Sequence, residues 1–310
     1  MDELLITCYS KPDLDGYACV KAYAEFLNTQ GKNVFGAIFG EPHEEVKFLL
    51  KEYNFEMLPT ANPEKFSKII LVDSSDRDGI DKRIKPEKVI EIIDHRKINR
   101  SEDFPNAEVQ IEPVGAAATL IAEKFKEKDI KLSRETALLI YGAIVSNTLN
   151  FKAKVTTERD MALAKWIQEK INIEKDFAEK MFQAKSDMSG GNLQKTINGD
   201  FAHFKSHNFG GKKFGIAQIE MVGGLNLAKN RKDEINQELN KIKDREKIDF
   251  DFLTIIDLVD GRNIFVSDNR YVQNLLQKVL GVKFEKDIAI RSGLIMRKEI
   301  IPLLKEELEK

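Results

Sequence analysis

Short, almost wholly apolar runs in the first half of the chain end in polar clusters that carry aspartate. Ile69 to Val72 is followed directly by Asp73, and Val89 to Ile93 is followed by Asp94-His95-Arg96. Runs of this length without alternation are typical of strands that are buried on both faces of a parallel sheet. Helical periodicity between such runs, as from Gly16 to Asn28, predicts an α/β domain with a doubly wound, mainly parallel sheet.

A small, polar stretch from Ser186 to Asn192 separates two halves of different pattern. The chain has 310 residues, and two domains are expected at roughly 100–200 residues per domain. We predict an α/β domain over residues 1–187 and a smaller α+β domain over residues 194–310. In the second domain, Asp260-Gly261 between two strand-like runs predicts a tight hairpin.

Composition argues against several classes of protein. The net charge is −2, from 49 basic and 51 acidic residues, so nucleic acid is not an expected partner. Cys8 and Cys19 are too few for a disulfide framework or a thiolate metal site. No apolar run reaches the ~18 residues of a membrane span, and Met1 to Leu5 does not resemble a signal peptide. We therefore expect a cytoplasmic protein with no membrane partner.

Carboxylates and one imidazole follow the predicted strands at separate points of the chain. Asp13 and Asp15 follow the first strand, Asp73 and His95 follow later ones, and Ser146-Asn147-Thr148 lies in a helical stretch. Each motif alone is more often a turn, a cap or a hydrogen-bonded pair. Because ligands bind beyond the carboxyl ends of parallel strands, we expect the motifs to converge. Carboxylate and imidazole suit a divalent cation such as manganese, and a dinuclear site of this kind serves phosphoryl transfer.

The order of these motifs resembles the manganese-dependent, or family II, inorganic pyrophosphatases, which belong to the DHH phosphoesterases. The matching stretches are Lys11 to Asp15, Leu71 to Asp73, Ile93 to Arg96, Glu112 to Thr119, Ala143 to Lys152 and Met296 to Pro302. The resemblance implies a metal-dependent phosphohydrolase that cleaves a phosphoanhydride by metal-activated water. Pyrophosphate is the first expected substrate, with short-chain polyphosphate or a nucleotide second. It also implies an active site in the cleft between the domains and a homodimer.

The same resemblance assigns roles to individual residues. The implied metal ligands, for one or two ions of Mn²⁺ with Mg²⁺ or Co²⁺ as alternatives, are Asp13, Asp15, Asp73 and His95. The implied catalytic residues are Asp73, His95 and Arg96. The implied substrate-binding residues are Asn147, Lys152, Arg297 and Lys298, the last three as phosphate contacts. Arginine suits such a role because its planar guanidinium can bind phosphate with two hydrogen bonds.

Three positions depart from the family pattern. Tyr9 stands where the family has a histidine, Arg96 replaces the second histidine of the signature, and Asn147 replaces an aspartate. A phenol with a reference pKa of about 10 is a poor ligand, and an amide offers only a neutral oxygen. Arg96 is shared with the exopolyphosphatase and prune-like branch. There are therefore two alternatives to a pyrophosphatase: an enzyme of that branch, and a non-catalytic homologue that binds a phosphate ligand. A DHH nuclease ranks below both, since no histidine follows Gly223-Gly224.

Overall fold

The computed structural model describes residues 4–204, 209–258 and 260–310. The chain forms two compact units, Met1–Met181 and Phe182–Lys310. The predicted division, after residue 187 and before residue 194, follows the helix Phe177–Ala184 and overlaps the start of the helix Asn192–Gly199, neither of which the sequence predicted. Within the described ranges, no helix is long and apolar enough to cross a membrane.

The first unit is built on a five-stranded sheet in which every neighbouring pair is parallel. Its strands are β1 (Leu4–Thr7), β2 (Val34–Gly36), β3 (Ile69–Val72), β4 (Val89–Asp94) and β5 (Glu108–Ile111). Its helices are α1 (Leu14–Thr29), α2 (Glu44–Glu52), α3 (Ala117–Glu127), α4 (Arg134–Asn147) and α5 (Glu158–Gln168), and α6 (Phe177–Ala184) follows at the end of the unit. The parallel α/β prediction is confirmed.

The centre of the sheet in the first unit is buried on both faces. All four residues of β3 are buried, as the unbroken apolar run predicts. Alternate strand residues such as Leu5, Leu71 and Ile92 pack with Phe66 and Phe104 from connecting segments. Helices α1, α3 and α4 pack against one another, and α1 and α3 also pack against the strands. The strand ends that leave this core are therefore held rigidly.

The strand order β2-β1-β3-β4-β5 reverses direction between β1 and β3. The chain leaves β1 toward β2 on one side, and then adds β3, β4 and β5 on the other side. Reversal points of this kind leave a crevice at the carboxyl ends of the two central strands, where ligands bind in open α/β sheets. Asp13 and Asp15 follow β1, and Asp73 follows β3. The topology thus carries these carboxylates to one place.

The second unit is built on a six-stranded mixed sheet of order β10-β11-β9-β8-β7-β6, with β7 and β8 parallel and the other neighbours antiparallel. Its strands are β6 (Phe201–Phe204), β7 (Phe214–Met221), β8 (Phe250–Asp257), β9 (Arg262–Val266), β10 (Phe284–Glu285) and β11 (Ile288–Ser292). Its helices are α7 (Asn192–Gly199), α8 (Gly224–Glu246), α9 (Arg270–Leu280) and α10 (Arg297–Leu308). The predicted hairpin is confirmed, because β8 and β9 are antiparallel and Gly261 has a φ of +62°.

Candidate metal centre

The first helix begins at the reversal point with an aspartate on each side of its start. Asp13 is the N-cap of α1, and its Oδ1 accepts a hydrogen bond from the Gly16 amide at 3.0 Å. Burial works to raise the pKa of Asp13, but His43, the Gly16 amide and the Tyr9 hydroxyl together lower it. Asp13 is therefore a charged carboxylate with one oxygen already used by the helix.

Asp15, in the first turn of α1, is held at both carboxylate oxygens. Its Oδ1 accepts from the amide of Ala118 at 2.9 Å, and its Oδ2 accepts from the amide of Ala117 at 2.8 Å. These amides belong to the first turn of α3, where the helix dipole stabilises negative charge. Asn147, the last residue of α4, donates its Nδ2 to Asp15 Oδ2 at 2.6 Å. The charge of Asp15 is thus fixed in position by two other helices.

Asp73 is buried with no hydrogen-bond partner for its carboxylate. Its exposed fraction is 1%, and within the described chain neither Oδ1 nor Oδ2 has a hydrogen-bond partner. Burial raises the pKa of Asp73 well above its ordinary value; Arg96 opposes this, and Asp15 adds to it. A buried acceptor left unpaired costs about 1–3 kcal/mol. Its backbone has a φ of 49°, in the left-handed region, and its amide bonds the Ile93 carbonyl at 2.7 Å. Such a group is suited to a cation that supplies the missing partner.

His95 lies close to the carboxylates of both Asp15 and Asp73 through its Nε2 atom. Its Nδ1 lies 3.0 Å from the Val114 carbonyl, which can only accept, so we assign the proton to Nδ1. The other ring nitrogen, Nε2, lies 3.5 Å from Asp73 Oδ1 and 3.7 Å from Asp15 Oδ2. Two carboxylates and an imidazole nitrogen that face one another suit a bound cation, and a histidine fixed through its other nitrogen is a common metal ligand.

Asp15, Asp73 and His95 form a cluster whose ligand atoms lie within 4.8 Å of one another, identified among the residues that the structure describes. Two carboxylates and an imidazole fit a divalent cation such as Mn²⁺. Three of the four predicted ligands therefore come together. Asp13 is not part of this cluster, and it lies beside it as the helix cap.

Arg96 also approaches Asp73. Its Nη1 donates to the Asp73 carbonyl at 2.8 Å and to Asp94 Oδ2 at 3.3 Å, and its Nη2 lies 3.6 Å from Asp73 Oδ1. The guanidinium carbon lies 5.2 Å from the centre of the Tyr9 ring, in cation–π contact. Asp94 is fully buried and also accepts from the His95 amide and from Ser75. Asp94 therefore anchors the guanidinium.

Tyr9 contributes a ring and a neutral hydroxyl. Burial, followed by the charges of Asp13 and Asp73, raises the pKa of Tyr9 well above its ordinary value. Its hydroxyl accepts a hydrogen bond from the Asp13 amide at 3.2 Å. A phenol that stays protonated is a weak ligand for a divalent cation. Tyr9 thus supports Arg96 and Asp13 and is not expected to bind a metal.

Glu45 connects two helices of the site, and no sequence motif marks it. It lies in the first turn of α2 and is 2% exposed. It accepts from the Leu14 amide at the start of α1 at 3.0 Å and from the Ser146 hydroxyl near the end of α4 at 2.5 Å. Only the folded topology could reveal this role, because acidic residues in a first helical turn are common.

Lys152 follows an unusual stretch of backbone. Leu149, Asn150 and Phe151 have φ values of 52°, 53° and 64°, all in the left-handed region. Each such non-glycine residue costs about 1–2 kcal/mol. The Asn150 amide bonds the Val145 carbonyl at 2.7 Å, which holds the stretch against the end of α4. Strain of this kind clusters at functional sites. Lys152 emerges from it exposed to solvent.

Arg297 and Lys298 begin α10 in the second unit. The Arg297 guanidinium donates to Asp200 Oδ1 at 3.0 Å and to the Ile216 carbonyl at 3.1 Å. Its backbone amide donates to Gln218 Oε1 at 2.6 Å. Several donors of Arg297 are therefore used within its own unit. Phosphate contact by Lys152, Arg297 and Lys298 stays a prediction.

Comparison with known proteins identifies two domains in the chain. The model of the DHH family, N-terminal domain, matches residues 3–144, and that of the DHHA2 domain matches residues 179–307. The manganese-dependent inorganic pyrophosphatase of Bacillus subtilis is 28% identical over 309 residues, which is 98% of each chain. A probable manganese-dependent inorganic pyrophosphatase of Bacillus velezensis is 29% identical over the same length and shares of both chains.

A solved structure has the same fold over its whole length. The crystal structure of a putative family II inorganic pyrophosphatase from Methanococcus jannaschii superposes with a TM-score of 0.85 at 26% identity. The match covers 99% of this chain and 100% of that one.

Proposed function

The chain belongs to the DHH family and carries a DHHA2 domain, and on that premise we propose that it is a metal-dependent phosphohydrolase that cleaves inorganic pyrophosphate. The observation that carries the proposal is the buried carboxylate of Asp73, whose oxygens have no hydrogen-bond partner within the described chain and face His95 and Arg96. A fold tolerates such a group when a bound cation stabilises it. Relatives that match the full length are named manganese-dependent inorganic pyrophosphatases, which supports Mn²⁺ as the cation.

The residues of the chain would hold the cation and the substrate in fixed positions. Asp15, Asp73 and His95 would bind the ion, which supplies Lewis acidity and lowers the pKa of a bound water. The α3 amides keep Asp15 in place, and the Val114 carbonyl keeps His95 in the tautomer that offers Nε2. Little would have to reorganise when the substrate arrives.

Arg96 would bind and orient a phosphate oxygen of the substrate. Its side chain is 32% exposed, and its position is fixed by Asp94 and the Asp73 carbonyl. A guanidinium held this way can stabilise charge that develops on a phosphoryl group. We propose Asn147, Lys152, Arg297 and Lys298 as further substrate contacts, and a homodimer as the assembly.

The experiment measures phosphate release from pyrophosphate, tripolyphosphate and a short oligonucleotide. Metal-free protein is given Mn²⁺, Mg²⁺ or Co²⁺ in turn, beside Asp73→Asn and the control Asp233→Asn, whose side chain is 82% exposed. We expect release from pyrophosphate that needs the metal, disappears in Asp73→Asn and persists in Asp233→Asn.

Other outcomes would change the proposal in defined ways. Faster release from tripolyphosphate would move the assignment to an exopolyphosphatase-like enzyme. No release with any metal, from protein shown to be folded by circular dichroism, would refute catalysis and favour a phosphate-binding homologue. Light scattering tests the homodimer separately.

A further inference from the structure

We propose that the guanidinium of Arg96 takes the place of a second divalent cation at Asp73, so that the site binds one divalent ion per chain. The inference rests on the metal centre of the proposed function and specifies its composition. It concerns two positions, Tyr9 and Arg96, at which this chain departs from the family pattern.

The first observation is that Asp73 Oδ1 is shared. It lies 3.5 Å from His95 Nε2, which belongs to the metal cluster, and 3.6 Å from Arg96 Nη2. In a two-metal site, a carboxylate of this kind bridges two cations. Here one neighbour of the oxygen is a cation that is covalently part of the chain.

The second observation is that Arg96 is anchored in this position. Its Nη1 has two acceptors, the Asp73 carbonyl and Asp94 Oδ2, and its guanidinium lies against the Tyr9 ring. Ser75 and the His95 amide in turn hold Asp94. A surface arginine would be free to swing away from an incoming ion, but this one would have to break a network that is largely buried.

The third observation is that the remaining donors on the Arg96 side are poor. Asp13 uses Oδ1 to cap α1, and the Tyr9 hydroxyl is engaged with the Asp13 amide. Across the described chain, the His/Cys/Asp/Glu cluster suited to a metal comprises Asp15, Asp73 and His95, and it does not extend to Asp13. A second ion would therefore have few ligands of its own.

The charges around the site agree with one ion. Asp13, Asp15 and Asp94 interact electrostatically with Asp73, and Asp76 interacts with Arg96 and Asp94. A second divalent ion on the Arg96 side would lie beside the guanidinium, where the two cations repel. Arg96 and one ion supply positive charge at Asp73 without that repulsion.

The test counts bound metal without substrate. Metal-free protein is titrated with Mn²⁺, bound metal is measured by equilibrium dialysis with elemental analysis, and electron paramagnetic resonance detects coupling between neighbouring ions. The variants are Tyr9→His combined with Arg96→His, which restores imidazole at both positions, and Arg100→His as the control. Arg100 matches Arg96 in side-chain exposure, at 31% against 32%.

We expect one Mn²⁺ per chain and an uncoupled signal in the wild type and in Arg100→His. The double variant should bind two ions and show a coupled signal. Two coupled ions in the wild type would overturn the inference, and with pyrophosphate release intact the proposed function would stand. A single ion in the folded double variant would also overturn it. If the wild type bound no ion, both the inference and the proposed metal centre would be refuted.

Discussion

Asp251 should make the second unit less stable as the pH rises. It is the second residue of β8, is 5% exposed, and its Oδ2 has no hydrogen-bond partner in the described part of the chain. Burial raises the pKa of Asp251 from 3.8 to about 7, with Lys243 opposing the shift and Asp268 adding to it. The folded state therefore keeps a proton that the unfolded state has already lost.

The magnitude follows from the linkage between protonation and folding. The carboxylic acid contributes its full stability below pH 4, and this contribution is lost as the pH rises from about 4 to about 7. A shift of about three pKa units corresponds to about 4 kcal/mol by pH 8. The side-chain amide of the variant Asp251→Asn has no proton to lose over this range. The advantage of the variant in unfolding free energy over the wild type should therefore grow by about 2–3 kcal/mol between pH 5 and pH 8.

The assay is urea unfolding followed by circular dichroism at pH 5, 6, 7 and 8, analysed for the transition of the second unit. Asp233→Asn, at a solvent-exposed aspartate, is the control and should follow the wild type at every pH. Taking the difference between the variant and the wild type cancels the titration of all other groups. A difference that is the same at pH 5 and pH 8 would refute the reasoning.

Three further substitutions test the first unit. Glu45→Gln removes a charged acceptor shared by two helices and should lower the unfolding free energy by about 2 kcal/mol in urea; unchanged stability would contradict its bridging role. Gly115→Ala would place Cβ 2.8 Å from Asp160 Oδ2 and should cost about 1–3 kcal/mol in thermal unfolding; no loss would show that the site can relax. Asn147→Asp puts a second carboxylate beside Asp15, so the metal-free protein should melt at a lower temperature. The affinity for Mn²⁺, measured by calorimetry, should rise about tenfold. A higher melting temperature without metal would contradict this reasoning.

Apolar patterning predicted the strands of the first sheet that are buried on both faces. The run Ile69 to Val72 coincides with β3, because an entirely apolar strand has no other stable place. The strand Glu108–Ile111 escaped prediction, since it lies at the sheet edge with exposed and half-buried positions only. Similarly, α7 (Asn192–Gly199) begins in a small, polar stretch that local pattern favours as a linker.

The sequence could predict which polar residues follow a strand, and therefore which residues lie near the site. Polar residues that follow buried parallel strands lie at the carboxyl ends of those strands, and there the structure brings Asp15, Asp73 and His95 together. The direction in which a side chain then points depends on contacts distant in sequence. Asp94 points back to anchor Arg96, and Asp13 serves the helix as its cap. The local sequence predicts neither side-chain orientation.

The left-handed backbone at Asp73 narrows what can replace that residue. Aspartate, asparagine and glycine tolerate such a φ, whereas alanine would add roughly 1–2 kcal/mol of backbone strain. An alanine variant would therefore report a lost ligand and a distorted strand end together, and only asparagine separates the two. Substitution at this position without added backbone strain is therefore expected only for asparagine and glycine.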